Sequence, residues 1–430
     1  MRLAEIDGKA LLRRHGLAVP RGVLLGAAAA MPAEAVQWPG HVLKAQVLEG
    51  GRGKRGLVRR LADVAEFTPA RQRITAALGD PAAPLLLEEA VTIAREIYLA
   101  VRIDGTRQGL ELLVAAEGGE DVERTAALAR IALDDADVVT ADALYPALAE
   151  LFTPDVAARL ARYAARLPEI ARREDLELLE INPLVLTSDG RFVACDAKIV
   201  RDDSAAFRHD PEEFPVSQAL AERAMTPLER SARELGFQLV EIDGDVALVT
   251  AGAGLGMMMM DLLADHGLTA ACFMDNLRGA PDETMAERLR IARAIAQRPK
   301  VRAIVFQTVL ASRSLADRMD ALLAWVAAEP LPKPLFVGIA AGHAAARKMS
   351  AEAAVAKLGG AGIAAFTDPV VLVRAVAAAV GANTASCTHY WTLHVVGEFS
   401  PGGRRPSSDL HHSAAPFTPY LPSSHDGALA

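Results

Sequence analysis

From about residue 244 onward, short apolar runs alternate with amphipathic segments, and this alternation constrains the fold more than any other feature of the sequence. The apolar runs are VALVT, TAACFM, AIVFQT, PLFVGIA and GIAAF, and DETMAERLRIARAIAQ and SLADRMDALLAWVAA are two of the segments between them. Apolar strands that alternate with helices pair in parallel, through right-handed crossovers. The pattern therefore predicts an α/β domain with a doubly wound parallel sheet over residues 236–382.

Composition and charge exclude several classes of protein. Of the 430 residues, 51% are hydrophobic and 23% are charged, as in ordinary globular domains. A net charge of −8 argues against a nucleic-acid or membrane-surface partner, and no uncharged apolar run approaches the ~20 residues that span a bilayer. The charged N-terminus, MRLAEIDGKALLRRHG, predicts an amphipathic helix and not a signal peptide, and the three cysteines are far apart. We therefore expect a cytoplasmic protein.

Three zones of the chain differ in pattern. In residues 1–235, the strand-like segments LLEEAV, EIYLAVRI, LELLEINPLVL and RFVACDAKIV flank an alanine- and leucine-rich stretch, 122–174, whose spacing predicts helix. Residues 236–382 form the alternating zone. Residues 383–430 contain five of the ten histidines, with many Ser and Pro and no periodicity. We expect a disordered tail there, with metal binding as the less favoured alternative.

A glycine-rich, basic segment follows a strand-like run in VLKAQVLEGGRGKRG. Glycines allow backbone N–H groups to approach phosphate oxygens, and basic side chains supply the matching charge. The residues that could do so are Lys44, Gly50, Gly51, Arg52, Gly53 and Lys54. The spacing is not that of a P-loop, and a basic surface hairpin turn explains the loop equally well.

Glu88 and Glu96 bracket an apolar stretch in LEEAVTIAREIYL. Acids at the end of a strand could accept hydrogen bonds from an adenine amino group or from ribose hydroxyls. Exposed glutamates are common, however, so taken alone these two are better explained as solvated side chains.

Asn182 and Asp196 stand in otherwise apolar strand segments, 14 residues apart across the turn SDG. A carboxylate and an amide in half-buried strands are costly unless something binds them. Mg²⁺ prefers hard oxygen ligands and is usually held by one or two protein groups together with phosphates. The pair therefore predicts a metal–nucleotide site.

Together these segments resemble the β subunit of succinyl-CoA synthetase, from the family of nucleoside diphosphate-forming acid–CoA ligases. The matching segments are KAQVLEGGRGK, EEAVTIAREIYLAV, AEGGEDVE, LLEINPLVLTSDG, CDAKI and GAGLGM, and the similarity runs from Met1 to about Gly381. EINPLV followed by DAKI at the family's spacing is the most specific of these features. The resemblance implies an ATP-grasp domain followed by a flavodoxin-like ligase domain.

The resemblance also implies roles for the polar residues. The family's phosphate-gripping positions match Lys44, Gly51, Arg52 and Gly53. Its base and ribose contacts match Glu88 and Glu96, and its Mg²⁺ ligands match Asn182 and Asp196. The implied reaction converts a small carboxylic acid, CoA and ATP (or GTP) to acyl-CoA, nucleoside diphosphate and phosphate.

In that family the phosphoryl group passes through an acyl phosphate and a histidine on a separate α subunit, which also binds CoA. No histidine of this chain matches the phosphorylated one, so a heterodimer or heterotetramer with such a subunit is implied. The histidines outside the tail are expected at the surface or at helix ends: His15, His41, His209, His266 and His343.

The loops of the second zone depart from the family's pattern. The family's asparagine before GAGL is Ala251 here, and its other glycine-rich loops are replaced by MDNLRGAP, QTVLASRS and GIAAGH. One interpretation is a ligase for a different acid, whose distal group Arg278, Ser312 or Arg313 could contact. The others are a nucleotide-binding paralogue without ligase activity, and an ATP-grasp ligase that joins an acid to an amine. We favour the first, since Asn182 and Asp196 are both present.

The stretch TAGAGLGMMMMD has three alternate glycines but lacks the spacing of a dinucleotide fingerprint. We interpret it as the first βα turn of the second domain, with a helix from about Gly256 to His266 and a C-terminal cap at Gly267. Ala251, Gly252 and Gly254 would then face an acid or a phosphate. The four methionines are expected to pack in the helix core.

Overall fold

The computed structural model describes residues 1–26, 29–118, 128–133, 138–250, 252–276, 285–310, 314–341 and 348–382. The tail predicted at 383–430 lies outside these residues. So do Ala251, Arg278, Ser312, Arg313 and His343, together with parts of the loops in which they stand.

The first half of the chain combines helices with mainly antiparallel strands. Its helices are α1 (Glu5–Arg14), α2 (Phe67–Leu78), α3 (Ala141–Ala149), α4 (Pro154–Ala164), α5 (Leu167–Arg173), α6 (Pro215–Ala224) and α7 (Pro227–Glu234). Its strands are β1 (Gly22–Leu25), β2 (His41–Ala45), β3 (Val58–Leu61), β4 (Leu85–Glu89), β5 (Ile93–Asp104), β6 (Gly109–Ala115), β7 (Ala129–Leu133), β8 (Leu176–Thr187), β9 (Phe192–Ala194) and β10 (Lys198–Arg201). The strands predicted from LLEEAV, EIYLAVRI, LELLEINPLVL and RFVACDAKIV are thereby confirmed.

These strands form two sheets. One has the order β1-β4-β2-β3, and the other has the order β10-β8-β5-β6-β7 with β9 beside β8. Helices α1, α3, α4 and α5 pack on the second sheet over a core that includes Leu11, Leu148, Leu160 and Ile181. The central strands β5 and β6 are buried on both faces, since Ile97–Val101 and Leu112–Ala115 are all buried.

One prediction in this half is wrong. The stretch 122–174 was expected to be helical, but Ala129–Leu133 forms β7, which pairs antiparallel with β6 from Val114↔Ala129 to Leu110↔Leu133. The burial of its residues alternates, as in a strand with one face on the core. Leucine- and alanine-rich composition suits a helix, but the open edge of β6 supplies backbone hydrogen bonds that a local pattern does not reveal. The helices α3, α4 and α5 confirm the rest of that prediction from residue 141 onward.

The second half contains the alternating elements. They are β11 (Phe237–Glu241), β12 (Val246–Thr250), α8 (Ala253–Asp265), β13 (Cys272–Asn276), α9 (Met285–Ala296), β14 (Ala303–Leu310), α10 (Leu315–Ala328), β15 (Leu335–Ala341), α11 (Ala351–Gly360), β16 (Ala364–Phe366) and α12 (Pro369–Val380). Strands β12, β14, β15 and β16 lie side by side in that order, and all their pairings are parallel. The predicted doubly wound parallel sheet is confirmed.

Successive residues of β12 face opposite sides of this sheet. Val246 and Leu248 pack with α8 and α12, whereas Ala247 and Val249 pack with α9, α10 and α11. Helices therefore cover both faces, and this explains why the strands are mostly apolar. None of the helices in the described part of the chain combines the length and apolarity that a membrane crossing requires.

One strand differs from the predicted arrangement. The segment TAACFM contributes β13, which pairs antiparallel with β11 from Phe237↔Asn276 to Glu241↔Cys272. A single bridge, Val246↔Ala270, joins the residues before β13 to the parallel sheet. The cause is β11, a strand that the sequence pattern did not identify.

Helix α8 begins three residues earlier than predicted, at Ala253 directly after Gly252, whose φ is 95°. It ends before His266, and Gly267 follows with a φ of 70°, which agrees with the predicted cap. Met259 is fully buried in the core, but Met257 is 58% exposed. The methionine run is therefore only partly a core feature.

Gly244 should be essential to the junction between β11 and β12. A Cβ atom at this position would lie 2.1 Å from the carbonyl oxygen of Ala270 and 2.3 Å from its carbonyl carbon. Backbone atoms cannot rotate away as a side chain can, so we expect Gly244→Ala to cost about 3 kcal/mol of stability. Thermal and denaturant unfolding would measure this loss.

Gly359→Ala is the matched control. Gly359 lies in α11, and a Cβ atom added there would have no neighbouring heavy atom within 4 Å. Alanine should therefore leave stability unchanged or raise it by up to about 1 kcal/mol. Equal unfolding temperatures for the two variants would contradict this account of Gly244.

Candidate nucleotide and metal site

A cleft of about 470 Å³ lies in the first half of the chain, which is within the size range of small-molecule sites. Its walls come from the glycine-rich segment, from β5 and β8, and from the residues around β10. The predicted site residues that line it are Gly50, Gly51, Arg52, Gly53, Lys54, Glu96, Asn182 and Asp196. Residues that lie from 50 to 196 in the sequence therefore meet at one site.

Strands β5 and β8 place polar side chains on the cleft. Glu96 and Tyr98 are two residues apart on β5, so their side chains project to the same face. The register between the strands shifts from Ile97↔Leu184 to Leu99↔Ile181, which leaves Asn182 and Pro183 opposite Tyr98. Such bulges reorient side chains and are frequent beside active sites.

Gly118, from the segment AEGGEDVE, lies against this bulge. A Cβ atom at this position would lie 3.3 Å from Asn182 Oδ1 and 3.3 Å from the Cβ of Glu96. Any larger residue would therefore crowd two residues that line the cleft.

Asp196 lies between β9 and β10, with its side chain 33% exposed. Its Oδ1 accepts hydrogen bonds from Arg52 Nη2 at 2.6 Å and from the Ala197 amide at 2.7 Å. Its Oδ2 accepts none from the described residues and is available to a cation. With the amide of Asn182 in the same lining, the site presents the hard oxygen donors that Mg²⁺ prefers.

The glycine-rich segment forms a turn beside these groups. Gly51 has a φ of 71°, a left-handed conformation that favours glycine. Cβ atoms at Gly50 and Gly51 would meet nothing within 4 Å, so this backbone is open to a ligand. The Arg52 guanidinium emerges from the same turn and lines the cleft.

Lys44 and Glu88 do not line the cleft but lie behind it, 7% and 2% exposed. Both belong to a group of buried and half-buried charges, called here the ion cluster, that is also in contact with the carbonyl of Cys195. Its members are Glu5, Lys9, Lys44, Arg52, Glu88 and Asp196. For Glu88 to contact a base or a ribose, as the resemblance implies, it would have to leave its two lysines.

Glu5 and Lys9 were missed by the analysis of the sequence. Glu5 binds Arg52 through Oε2 at 2.5 Å and Lys44 through Oε1 at 2.7 Å, and it also lines the cleft. The signal was present in the N-terminal helix, where EIDGK places an acid and a base one turn apart. That spacing is common on solvated helices, so it did not identify a buried pair.

The charges of the ion cluster hold one another ionised. Burial raises the pKa of Glu5, but Lys44, Lys9 and Arg52 offset this effect and bring it well below its usual value. Burial lowers the pKa of Lys44. The nearby carboxylates of Glu5, Glu88 and Asp196 raise it by more than burial lowers it, so the net shift is upward. Burial also raises the pKa of the Cys195 thiol, to about 11, so this thiol stays protonated at neutral pH.

A second group of metal-ligating side chains, Glu174, His209 and Glu213, has its ligand atoms within 4.8 Å of one another. Arg201 binds Glu174 at 2.7 Å and Glu213 at 2.6 Å, and His209 binds Asp175 at 2.8 Å. These contacts already satisfy the group, which therefore acts as an ion-pair network.

The histidines are placed partly as expected. His15 follows the end of α1, and His266 follows the end of α8. His209 follows a short 3₁₀ helix. His41 contradicts the expectation, because it is 4% exposed on β2, with Nε2 2.7 Å from the carbonyl oxygen of Ala35. None of these four lines the cleft.

The predicted phosphate-facing turn is described only in part, since Ala251 lies outside the described residues. Cβ atoms at Gly252 and Gly254 would meet nothing within 4 Å, so the first turn of α8 has an open approach. Arg288, which is buried, donates a hydrogen bond to the carbonyl of Thr250 at the end of β12. That this turn faces an acid or a phosphate remains a prediction.

Comparison with known proteins identifies the first part of the chain. Residues 2–186 match the family model of the ATP-grasp domain. Among solved structures, an ATP citrate lyase from Methanothrix soehngenii, in complex with citrate and coenzyme A, has a TM-score of 0.61 and 17% identity. The match covers 88% of this chain and 99% of that one, and at this identity it shows a shared fold only.

Sequence relatives extend the comparison along the chain. The β subunit of an ADP-forming succinate–CoA ligase from Desulfurococcus amylolyticus is 34% identical over 315 residues, 71% of this chain and 81% of the relative. The corresponding subunit from Zymomonas mobilis is 36% identical over 332 residues, with the same coverage. A subunit beta 2 from Streptomyces coelicolor is 35% identical over 357 residues, 80% of this chain and 89% of the relative. The chain therefore belongs to the family of the β subunits of ADP-forming succinate–CoA ligases.

Proposed function

We propose that this chain is the nucleotide-binding subunit of an acid–CoA ligase and that it binds Mg²⁺ and ATP (or GTP) in the cleft. The observation that carries the proposal is the convergence of the glycine turn, Arg52, Asn182 and Asp196 on one cavity. The overall reaction is that of the family: acid, CoA and nucleoside triphosphate give acyl-CoA, nucleoside diphosphate and phosphate.

The glycine turn, Arg52, Asn182 and Asp196 would each have a role in this reaction. Asn182 and Oδ2 of Asp196 would hold Mg²⁺, which neutralises phosphate charge and orients the phosphates. The open backbone at Gly50 and Gly51 would donate hydrogen bonds to phosphate oxygens, and Arg52 would add a charge-assisted one. Arg52 also holds Asp196 in place through Oδ1, so phosphate binding and metal binding are coupled.

The proposal requires a partner. His15, His41, His209 and His266 do not line the cleft, which supports a phosphohistidine supplied by an α-type subunit. That subunit would also bind most of the CoA, and the small acid would lie at the carboxyl edge of the parallel sheet. Residues 1–235 would form the ATP-grasp domain and 236–382 the ligase domain.

Nucleotide binding by the purified chain should depend on Asp196. We expect Asp196→Ala to weaken MgADP binding at least about tenfold, the effect of losing roughly 1.4 kcal/mol of interaction. The affinity gained on adding Mg²⁺ to ADP should also disappear, because the metal loses a carboxylate. Isothermal titration with and without Mg²⁺ measures both quantities.

Asp243→Ala is the control, since Asp243 is 90% exposed and lies away from the cleft. It should bind MgADP as the wild type does. If Asp196→Ala retains the full effect of Mg²⁺ on ADP affinity, the metal assignment is wrong.

Turnover should require the second subunit. The chain alone should bind nucleotide without forming acyl-CoA, and coexpression with an α-type chain from the same genome should yield a complex that releases ADP in a CoA- and acid-dependent manner. A panel of mono-, di- and tricarboxylic acids, assayed by coupled ADP release, identifies the substrate. A stable complex that binds nucleotide but accepts no acid would instead favour the non-catalytic paralogue.

A further inference from the structure

Lys44 and Lys9 bind the same three acceptors. Lys44 Nζ lies 2.7 Å from Glu5 Oε1, 2.8 Å from Glu88 Oε2 and 2.6 Å from the carbonyl oxygen of Cys195. Lys9 Nζ lies 2.6 Å from Glu5 Oε1, 2.6 Å from Glu88 Oε1 and 2.8 Å from the same carbonyl oxygen. An ammonium group has three donors, so these acceptors saturate both lysines.

Each of the two lysines contacts both carboxylates, Glu5 and Glu88. Two buried positive charges lie within hydrogen-bond distance of common acceptors, and like charges repel strongly in a medium of low dielectric constant. One lysine would neutralise Glu88, and Glu5 has Arg52 as an additional partner at 2.5 Å. If one lysine turned away, the other would still contact both carboxylates.

Lys44 is the lysine that can leave. The carboxylate of Glu5 lines the cleft and is bound directly to Lys44, so a single ion pair separates this ammonium from the cavity. A lysine side chain has four rotatable bonds and can cover that distance. Lys9 is 2% exposed and anchored on α1, one turn from Glu5. A phosphate can bind Lys44 only in exchange for one of its present acceptors.

We propose that Lys9 is a positioning residue that keeps Glu5, Glu88 and the Cys195 carbonyl compensated while Lys44 turns to the phosphates of a bound nucleotide. The inference rests on the proposed function. Without Lys9, the departure of Lys44 would leave Glu88 as a buried carboxylate without a cation among the described residues, which is strongly unfavourable. Lys44 would then stay locked in the ion cluster.

The first test is MgADP affinity, measured by isothermal titration on the full chain. Lys9→Met should raise the Kd at least about tenfold, a 1.4 kcal/mol effect, whereas Lys9→Arg, which keeps the charge, should stay within about threefold of the wild type. A purely structural role would lower the unfolding temperature of Lys9→Met without changing its affinity when folded. Unchanged affinity in folded Lys9→Met would therefore overturn the inference.

The second test uses the reciprocal variant and does not depend on whether Lys9→Met folds. If Lys9 alone can hold the carboxylates, Lys44→Met should fold and melt within about 4 °C of the wild type. Its MgADP affinity should nevertheless fall at least about tenfold. Loss of folding in Lys44→Met would show that Lys9 does not suffice, and would refute the proposal.

The wild-type titration separates this inference from the function on which it rests. A wild-type chain that does not bind MgADP would refute the proposed function, and the inference with it. A wild type that binds MgADP, beside a folded Lys9→Met variant of equal affinity, would refute the role of Lys9 alone.

Discussion

The ion cluster is the interaction on which the nucleotide cleft depends. It joins helix α1, strand β2 with the glycine turn that follows it, strand β4 and the segment before β10, which are separate segments of the sequence. Buried charges persist only when they are paired, so each member fixes the position of the others. Three cations balance three anions: Lys9, Lys44 and Arg52 against Glu5, Glu88 and Asp196.

The two halves of the chain offer different kinds of site. The antiparallel sheets of the first half carry a cleft with oxygen donors and an arginine, which suits a metal–nucleotide complex. The parallel sheet of the second half, covered by helices on both faces, offers its carboxyl edge, where Gly252 begins the open turn before α8. Membership in the succinate–CoA ligase family agrees with this division, because an acid–CoA ligase must bind both a nucleotide and an acid.

Local patterns predicted most elements, but not all of their pairings. Apolar, strand-like runs identified β5 and β8, and the βα alternation identified the parallel sheet, because strands buried on one or both faces require apolar side chains. The same reasoning failed for β7 and for the antiparallel pair of β11 and β13. In both cases the structure is decided by an available strand edge, which local periodicity does not reveal.

By itself, the sequence determined which residues could form a metal–nucleotide site: Arg52, Asn182 and Asp196 do line one cleft. The tertiary structure alone decided that Lys44 and Glu88 lie behind that cleft, and that Glu5 and Lys9 join them. The physical reason is that a desolvated charge pairs with whichever opposite charge the fold brings close to it. Lys9 and Glu88 are 79 positions apart, and only the packing of α1 brings them together.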